Sequence, residues 1–149
     1  MNKQTNRLLP LLLGLLLLLS LFACKPAESS GEPEDSLAEG QLPPIWGSAI
    51  YREDATVGEG SKTVTVEVEA KGHRVVFTVK TDAATLGEAL YALELINDPS
   101  FFDTANGIKA DWNADSAYWG YFEGDTYMSV GVNDTPISGG EHYRLVYTQ

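Results

Sequence analysis

The chain has 149 residues, of which 44% are hydrophobic and 21% charged, and a formal net charge of −11 at pH 7. That length accommodates one domain with additional segments. The acidity excludes a nucleic-acid role built on clustered Lys and Arg, and a single cysteine, Cys24, excludes an internal disulfide.

The first element is an export leader. Lys3 and Arg7 supply positive charge ahead of an apolar run from Leu8 to Phe22. The run is shorter than the roughly 20 residues that cross a bilayer core. A charged start, a short apolar core and a small residue before a cut site describe a signal peptide over residues 1–23. Leu21-Phe22-Ala23-Cys24 resembles the lipobox of bacterial lipoproteins, although Phe22 is bulkier than the residue usual there. The resemblance implies cleavage before Cys24 and acylation of its thiol by palmitate-type chains. The mature chain would then be extracytoplasmic and anchored to the cell membrane by lipid. Losing residues 1–23 removes Lys3 and Arg7 and no acidic residue, so the formal charge falls to −13. Anionic headgroups repel such a chain, which leaves the anchoring to the lipid.

Residues 24–51 read as a tether. The stretch from Lys25 to Pro44 is rich in Glu, Pro, Ser and Gly and has almost nothing to bury. About 20 flexible residues span roughly 25 Å. Ile45 to Tyr51 is more apolar and fits either a first edge element or a flap. Trp46 fits a docked and an exposed position equally well.

The folded domain is expected over residues 52–149. Residues 63–69, TVTVEVE, alternate strictly and predict a half-buried strand. Lys71-Gly72 predicts a turn, and residues 74–80, RVVFTVK, the second strand of a hairpin. Thr85 and Glu88 form a capping box ahead of Leu86, Ala89, Leu90 and Leu93, an apolar stripe at helical spacing. Asn97-Asp98-Pro99 is the expected stop. Phe101-Phe102 leads toward a strand near Ile108, and Asp111 to Asp115 reads as a polar turn. Residues 117–122, AYWGYF, predict an aromatic strand that turns at Glu123-Gly124-Asp125 into Tyr127–Val130. Asn133 to Gly140 reads as a long turn, and Tyr143 to Thr148 as the last strand. The order implies an α+β fold, a β-grasp-like mixed sheet with one packed helix.

Nothing in the sequence points to an enzyme. His73 and His142 both fall beside turns, and no nucleophile elbow, metal-binding helix or phosphate loop occurs. Asp111, Asn113 and Asp115 have the spacing that opens a calcium loop. Ser116 and Phe122 then stand where such a loop needs Gly and Glu. No metal site is therefore expected, and turn capping accounts for the acidic residues. In the aromatic strand, Tyr118 and Phe122 share one face, Trp119 and Tyr121 the other, and Gly120 between them leaves room for a close approach. Either protein covers both faces, or one face meets a ligand.

Four blocks, TVGEGSKTVTVEV (56–68), TLGEALYALELI (85–96), AYWGYFEGDTY (117–127) and GVNDTPISGGEHYRLVYT (131–148), resemble the bacterial transcobalamin-like C-terminal domain family. Its members are often lipoproteins of unknown function. The family is related to the β-domain of transcobalamin and intrinsic factor, which covers one face of a corrin. Tyr118-Trp119 matches the aromatic-Trp pair of those carriers. Gly131, Val132 and Asp134 match the turn that follows, and Pro136 a proline after it. The resemblance implies a β-grasp and nominates Trp119, Tyr121, Met128, Val130 and Gly131 as a ligand surface for cobalamin or another corrinoid. The carriers' helical partner domain has no counterpart in this sequence. The expected role is thus a membrane-anchored binding module for a small flat ligand, working beside an importer or envelope protein. The alternative is an envelope interaction or structural module without a small-molecule ligand.

Overall fold

A computed structural model describes residues 40–149. Cys24, the leader and the tether up to residue 39 lie outside the described residues.

Among the described residues eight strands and two α-helices follow in chain order: β1 (Ala55–Gly58), β2 (Lys62–Ala70), β3 (His73–Thr81), α1 (Leu86–Ala92), β4 (Thr104–Ala105), β5 (Ile108–Lys109), α2 (Trp112–Asp115), β6 (Tyr118–Glu123), β7 (Thr126–Tyr127) and β8 (His142–Thr148). Six strands form one sheet in the order β1-β3-β2-β8-β6-β7, and β4 and β5 form a small separate hairpin. The β2–β3 hairpin is antiparallel, and β8 runs parallel to β2 through the middle of the sheet. This is the expected α+β architecture, a β-grasp-like mixed sheet with one main helix.

Period-two alternation decides which face is buried. The register sets Val66 beside Phe77 and Tyr143, Val68 beside Val75 and Leu145, and Leu145 beside Tyr121. These side chains share one core with Leu86, Ala89 and Leu90 of α1. The capping box forms as expected: Thr85 Oγ1 accepts from the Glu88 N–H, and the Glu88 carboxylate accepts from the Thr85 N–H. Two of the three two-residue hairpin turns place a non-glycine before a glycine, both at positive φ. The pairs are Lys71-Gly72 at 50° and 78° and Asn106-Gly107 at 48° and 77°.

Several expectations are corrected. The domain does not begin at Arg52. Pro44–Ser48 is a 3-10 helix, and Trp46 is fully buried, its indole N–H donating to the Ala70 carbonyl at 2.9 Å. Trp46 also meets His73 edge-on at 4.5 Å. Residues 44–51 therefore belong to the domain rather than to a tether over 24–51. The helix ends at Ala92, before Asn97-Asp98-Pro99, because Glu94 turns to φ 57° and the Leu95 N–H bonds back to Leu90. An edge strand, β1, pairs parallel with β3 where no strand was expected. The polar turn at 111–115 is the short helix α2. The hairpin arm after β6 pairs for only two residues, Thr126 and Tyr127.

Candidate functional site

The aromatic strand presents the opposite faces from those a ligand surface on Trp119 and Tyr121 would need. Trp119 and Tyr121 point into the core, 8% and 6% exposed, while Tyr118 is 43% exposed. The Trp119 indole N–H donates to the Asp103 carbonyl at 3.1 Å. The Tyr121 hydroxyl donates to Thr135 Oγ1, which donates in turn to the Gly131 carbonyl, each at 3.0 Å. Burial of Tyr121 pushes its phenol above the ordinary value. The space at Gly120 is occupied from within: a Cβ there would stand 3.1 Å from the Phe122 ring.

The five nominated residues therefore do not form one surface. Trp119 lines a cleft from beneath, 8% exposed. Tyr121 and Gly131 meet through Thr135, and the Met128 N–H bonds to the Tyr121 carbonyl. Met128 packs half-buried against the core, and Val130 is exposed beside Gly131. The segment that carries them is held firmly. The Leu86 N–H donates to the Thr135 carbonyl and the Ile137 N–H to the Ala84 carbonyl. Gly87 lies so close that a Cβ would stand 2.9 Å from the Asn133 backbone.

A different group of residues forms the most aromatic cleft described. It lies at the β6–β7 side of the sheet, has a volume of about 470 Å³, and is floored by Trp119, Ala117 and Phe102. Its walls are Phe101, Trp112, Tyr118 and Tyr127, which are 84%, 65%, 43% and 60% exposed. The Trp112 and Tyr118 rings adjoin at 6.2 Å and incline by 58°. Asp103, Lys109, Asp111 and Asn113 provide its polar groups. Four large exposed aromatic rings beside one cleft are unusual on a soluble surface, where such side chains mostly stand alone.

Local structure explains how the rings come together. Asp111 Oδ1 accepts from the Asn113 and Ala114 N–H groups and caps α2, which projects Trp112 outward. Those two bonds, chiefly Ala114 and then Asn113, hold the Asp111 carboxyl below its ordinary range. The Asp-x-Asn-x-Asp spacing thus serves a helix cap. Among the described residues no group of three or more His, Cys, Asp or Glu is arranged to hold a metal. Asn97 and Asp98 bind the backbone of 100–104 and present Phe101. Phe122 meets Tyr127 edge-on at 5.3 Å and props it at the rim.

Two further depressions are chemically different. One of about 510 Å³ lies between the end of α1 and the β4–β5 hairpin, where Tyr91 is the one aromatic lining residue. The other, about 400 Å³, lies on the open sheet face around Glu67. Glu67 is nearly buried there and pairs with His142 at 3.0 Å, Arg74 at 3.3 Å and Arg144 at 3.6 Å. Arg144 extends that network to Glu69 and Asp125, on a sheet face that no described helix covers.

No family model and no curated protein matches the chain. Among solved structures, one of a protein from Ruminococcus gnavus ATCC 29149, provisionally named a metal binding protein, is similar. It is 27% identical with a TM-score of 0.56, and the match covers 60% of this chain and 98% of that one. Haptocorrin in complex with Cbi is similar at 17% identity and a TM-score of 0.42, over 62% of this chain and 26% of haptocorrin.

Proposed function

We propose that the chain is a ligand-binding module, held outside the membrane by lipid on Cys24, whose aromatic cleft takes one face or edge of a small flat ligand. The gathering of four exposed rings on one cleft carries this reading. Its volume falls within the roughly 300–1,000 Å³ usual for small-molecule sites. A flat ligand gains on such a surface by stacking, and the polar rim fixes its orientation. A corrinoid is the ligand that the resemblance of Tyr118-Trp119 and Gly131–Pro136 to the carriers implies. A whole corrinoid exceeds this cleft, so most of it would stay exposed or be covered by a partner such as an importer. The R. gnavus protein's provisional name also points to a binding role, although among the described residues here no group of three or more His, Cys, Asp or Glu is arranged to hold a metal.

The test is a titration of the mature protein with cobalamin, cobinamide and haem, followed by tryptophan emission corrected for ligand absorbance. Binding by at least one is expected, with Trp112→Ala and Tyr118→Ala each weakening it about tenfold at unchanged circular dichroism. Flat isotherms at high micromolar concentration for all three overturn the tetrapyrrole version.

A second reading has its own observation. β7 pairs only with Phe122 and Glu123, so no described strand pairs with the outer edge of β6 at Tyr118 and Trp119. A partner's extended segment would dock there by strand addition, with a side chain in the cleft. Crosslinking through a photoreactive group at Tyr127 in intact membranes tests it; a reproducible protein adduct supports it, and its absence counts against it.

A further inference from the structure

We propose that the aromatic cleft selects ligands bearing an organic cation, a quaternary ammonium or guanidinium on a small apolar or flat body. This rests on the reading of the cleft as a binding site and adds the charge of what enters it.

The faces of aromatic rings are electrically negative and attract a cation held within about 6 Å. Trp112 offers the strongest such face and is mostly exposed. With Tyr118 inclined to it at 58°, the pair makes a corner, so one guest meets both rings.

Asp103 and Asp111 both line the cleft, and each divides its two oxygens between two tasks. Asp103 Oδ1 accepts from Asn97 and Thr104, and Asp111 Oδ1 caps α2. The other oxygen of each, Oδ2, is turned toward Lys109, at 4.0 Å and 3.7 Å. These distances exceed the roughly 2.7–2.9 Å of a charge-assisted hydrogen bond. Lys109 is itself largely exposed. It is a loose counterion for two carboxylates, and the three groups together leave one negative charge uncompensated. A ligand cation would take the place beside Oδ2 that Lys109 fills poorly. The chain's charge of −11 favours the approach of cations and opposes anions. A neutral flat ligand gains the stacking alone.

The test compares two probes of one shape and different charge: choline and 3,3-dimethylbutan-1-ol. Each is titrated into the mature protein, with affinity read from tryptophan emission and from the indole N–H resonances. Choline is expected to bind about tenfold more tightly than its neutral isostere, and added sodium chloride to weaken choline alone. Trp112→Ala and Asp103→Asn are each expected to lower choline affinity at least threefold. The side chain of Trp112 is exposed, so the fold tolerates its loss. Equal affinity for both probes overturns the cation proposal and leaves the cleft as an apolar site. No response to either also overturns it; the broader binding reading then stands or falls on the tetrapyrrole titration.

Discussion

Asp111 shows how one carboxylate shapes a surface. Its depressed pKa means that folding favours the ionised form, so it adds stability above the ordinary aspartate range near 4. That contribution is lost as pH falls through the lower, folded-state value. Below about pH 4 the cap on α2 should weaken and Trp112 emission should change, ahead of global unfolding. Asp111→Asn keeps a good capping side chain without the titration, and its emission should be flat over the same window. An identical acid transition in both proteins would contradict the role given to Asp111. Tyr121 tests the neighbouring core. Tyr121→Phe removes the donor to Thr135 Oγ1 and should cost about 1–2 kcal/mol in chemical denaturation, with little effect on ligand binding because the ring stays in the core. Its strand alternation was legible in the sequence; which face was buried was not. Both faces of AYWGYF are aromatic, and only the pairing of Tyr121 with Leu145 and of Trp119 with Tyr147 decides between them.

Elements fixed by neighbouring residues are legible in the sequence, and those fixed by distant partners are not. The β2–β3 hairpin and the capping box of α1 follow from alternation, a turn dipeptide and a cap, all within a few residues. β1 was missed because its partner β3 lies some twenty residues away and its four residues carry no complete alternation. Asn106-Gly107 is the turn of the β4–β5 hairpin, of which the sequence predicts only one strand, near Ile108. Asn106 does more than turn the chain. It is fully buried, its side chain accepts from the Tyr51 N–H at 2.9 Å and donates to the Tyr51 carbonyl at 2.7 Å, and its carbonyl accepts from Ile50. Asn106→Ala loses both side-chain bonds and must keep φ at 48°, so a loss of about 2–4 kcal/mol is expected in urea titration. Thr85→Ala should cost about 1 kcal/mol by loss of the cap. Gly87→Ala should cost more and shift the amide resonances of Val132 to Thr135, since its methyl meets backbone that has no side chain to move aside.

For the whole molecule, Trp46 sets where the domain starts. No periodicity marks residues 44–51, and only the tertiary structure reveals that this segment closes the core over Ala70 and His73. A protein trimmed to begin at Arg52 should lose cooperative unfolding, whereas one beginning at Gly40 should keep it. Trp46→Ala should cost about 3–5 kcal/mol. If the lipid anchor is as proposed, Cys24→Ser should release the exported protein from the membrane fraction. The cleft was illegible for the same reason as Trp46. Phe101, Trp112, Tyr118 and Tyr127 are spread over 27 positions of sequence and meet only because α2, the Asn97–Asp103 loop and the β6–β7 hairpin converge. The resemblance to the carriers matches Tyr118-Trp119, of which Trp119 lies beneath that cleft and Tyr118 on its wall, and gives no sign of Phe101, Trp112 or Tyr127.

The most direct measurement of the central claim is amide and indole chemical-shift mapping of residues 40–149 during addition of cobinamide. Saturable shifts concentrated at Phe101–Asp103, Lys109–Asn113, Tyr118 and Tyr127 are expected, with the Trp46 indole unchanged. Shifts centred on the open sheet face around Glu67, or none at millimolar ligand, would contradict that claim.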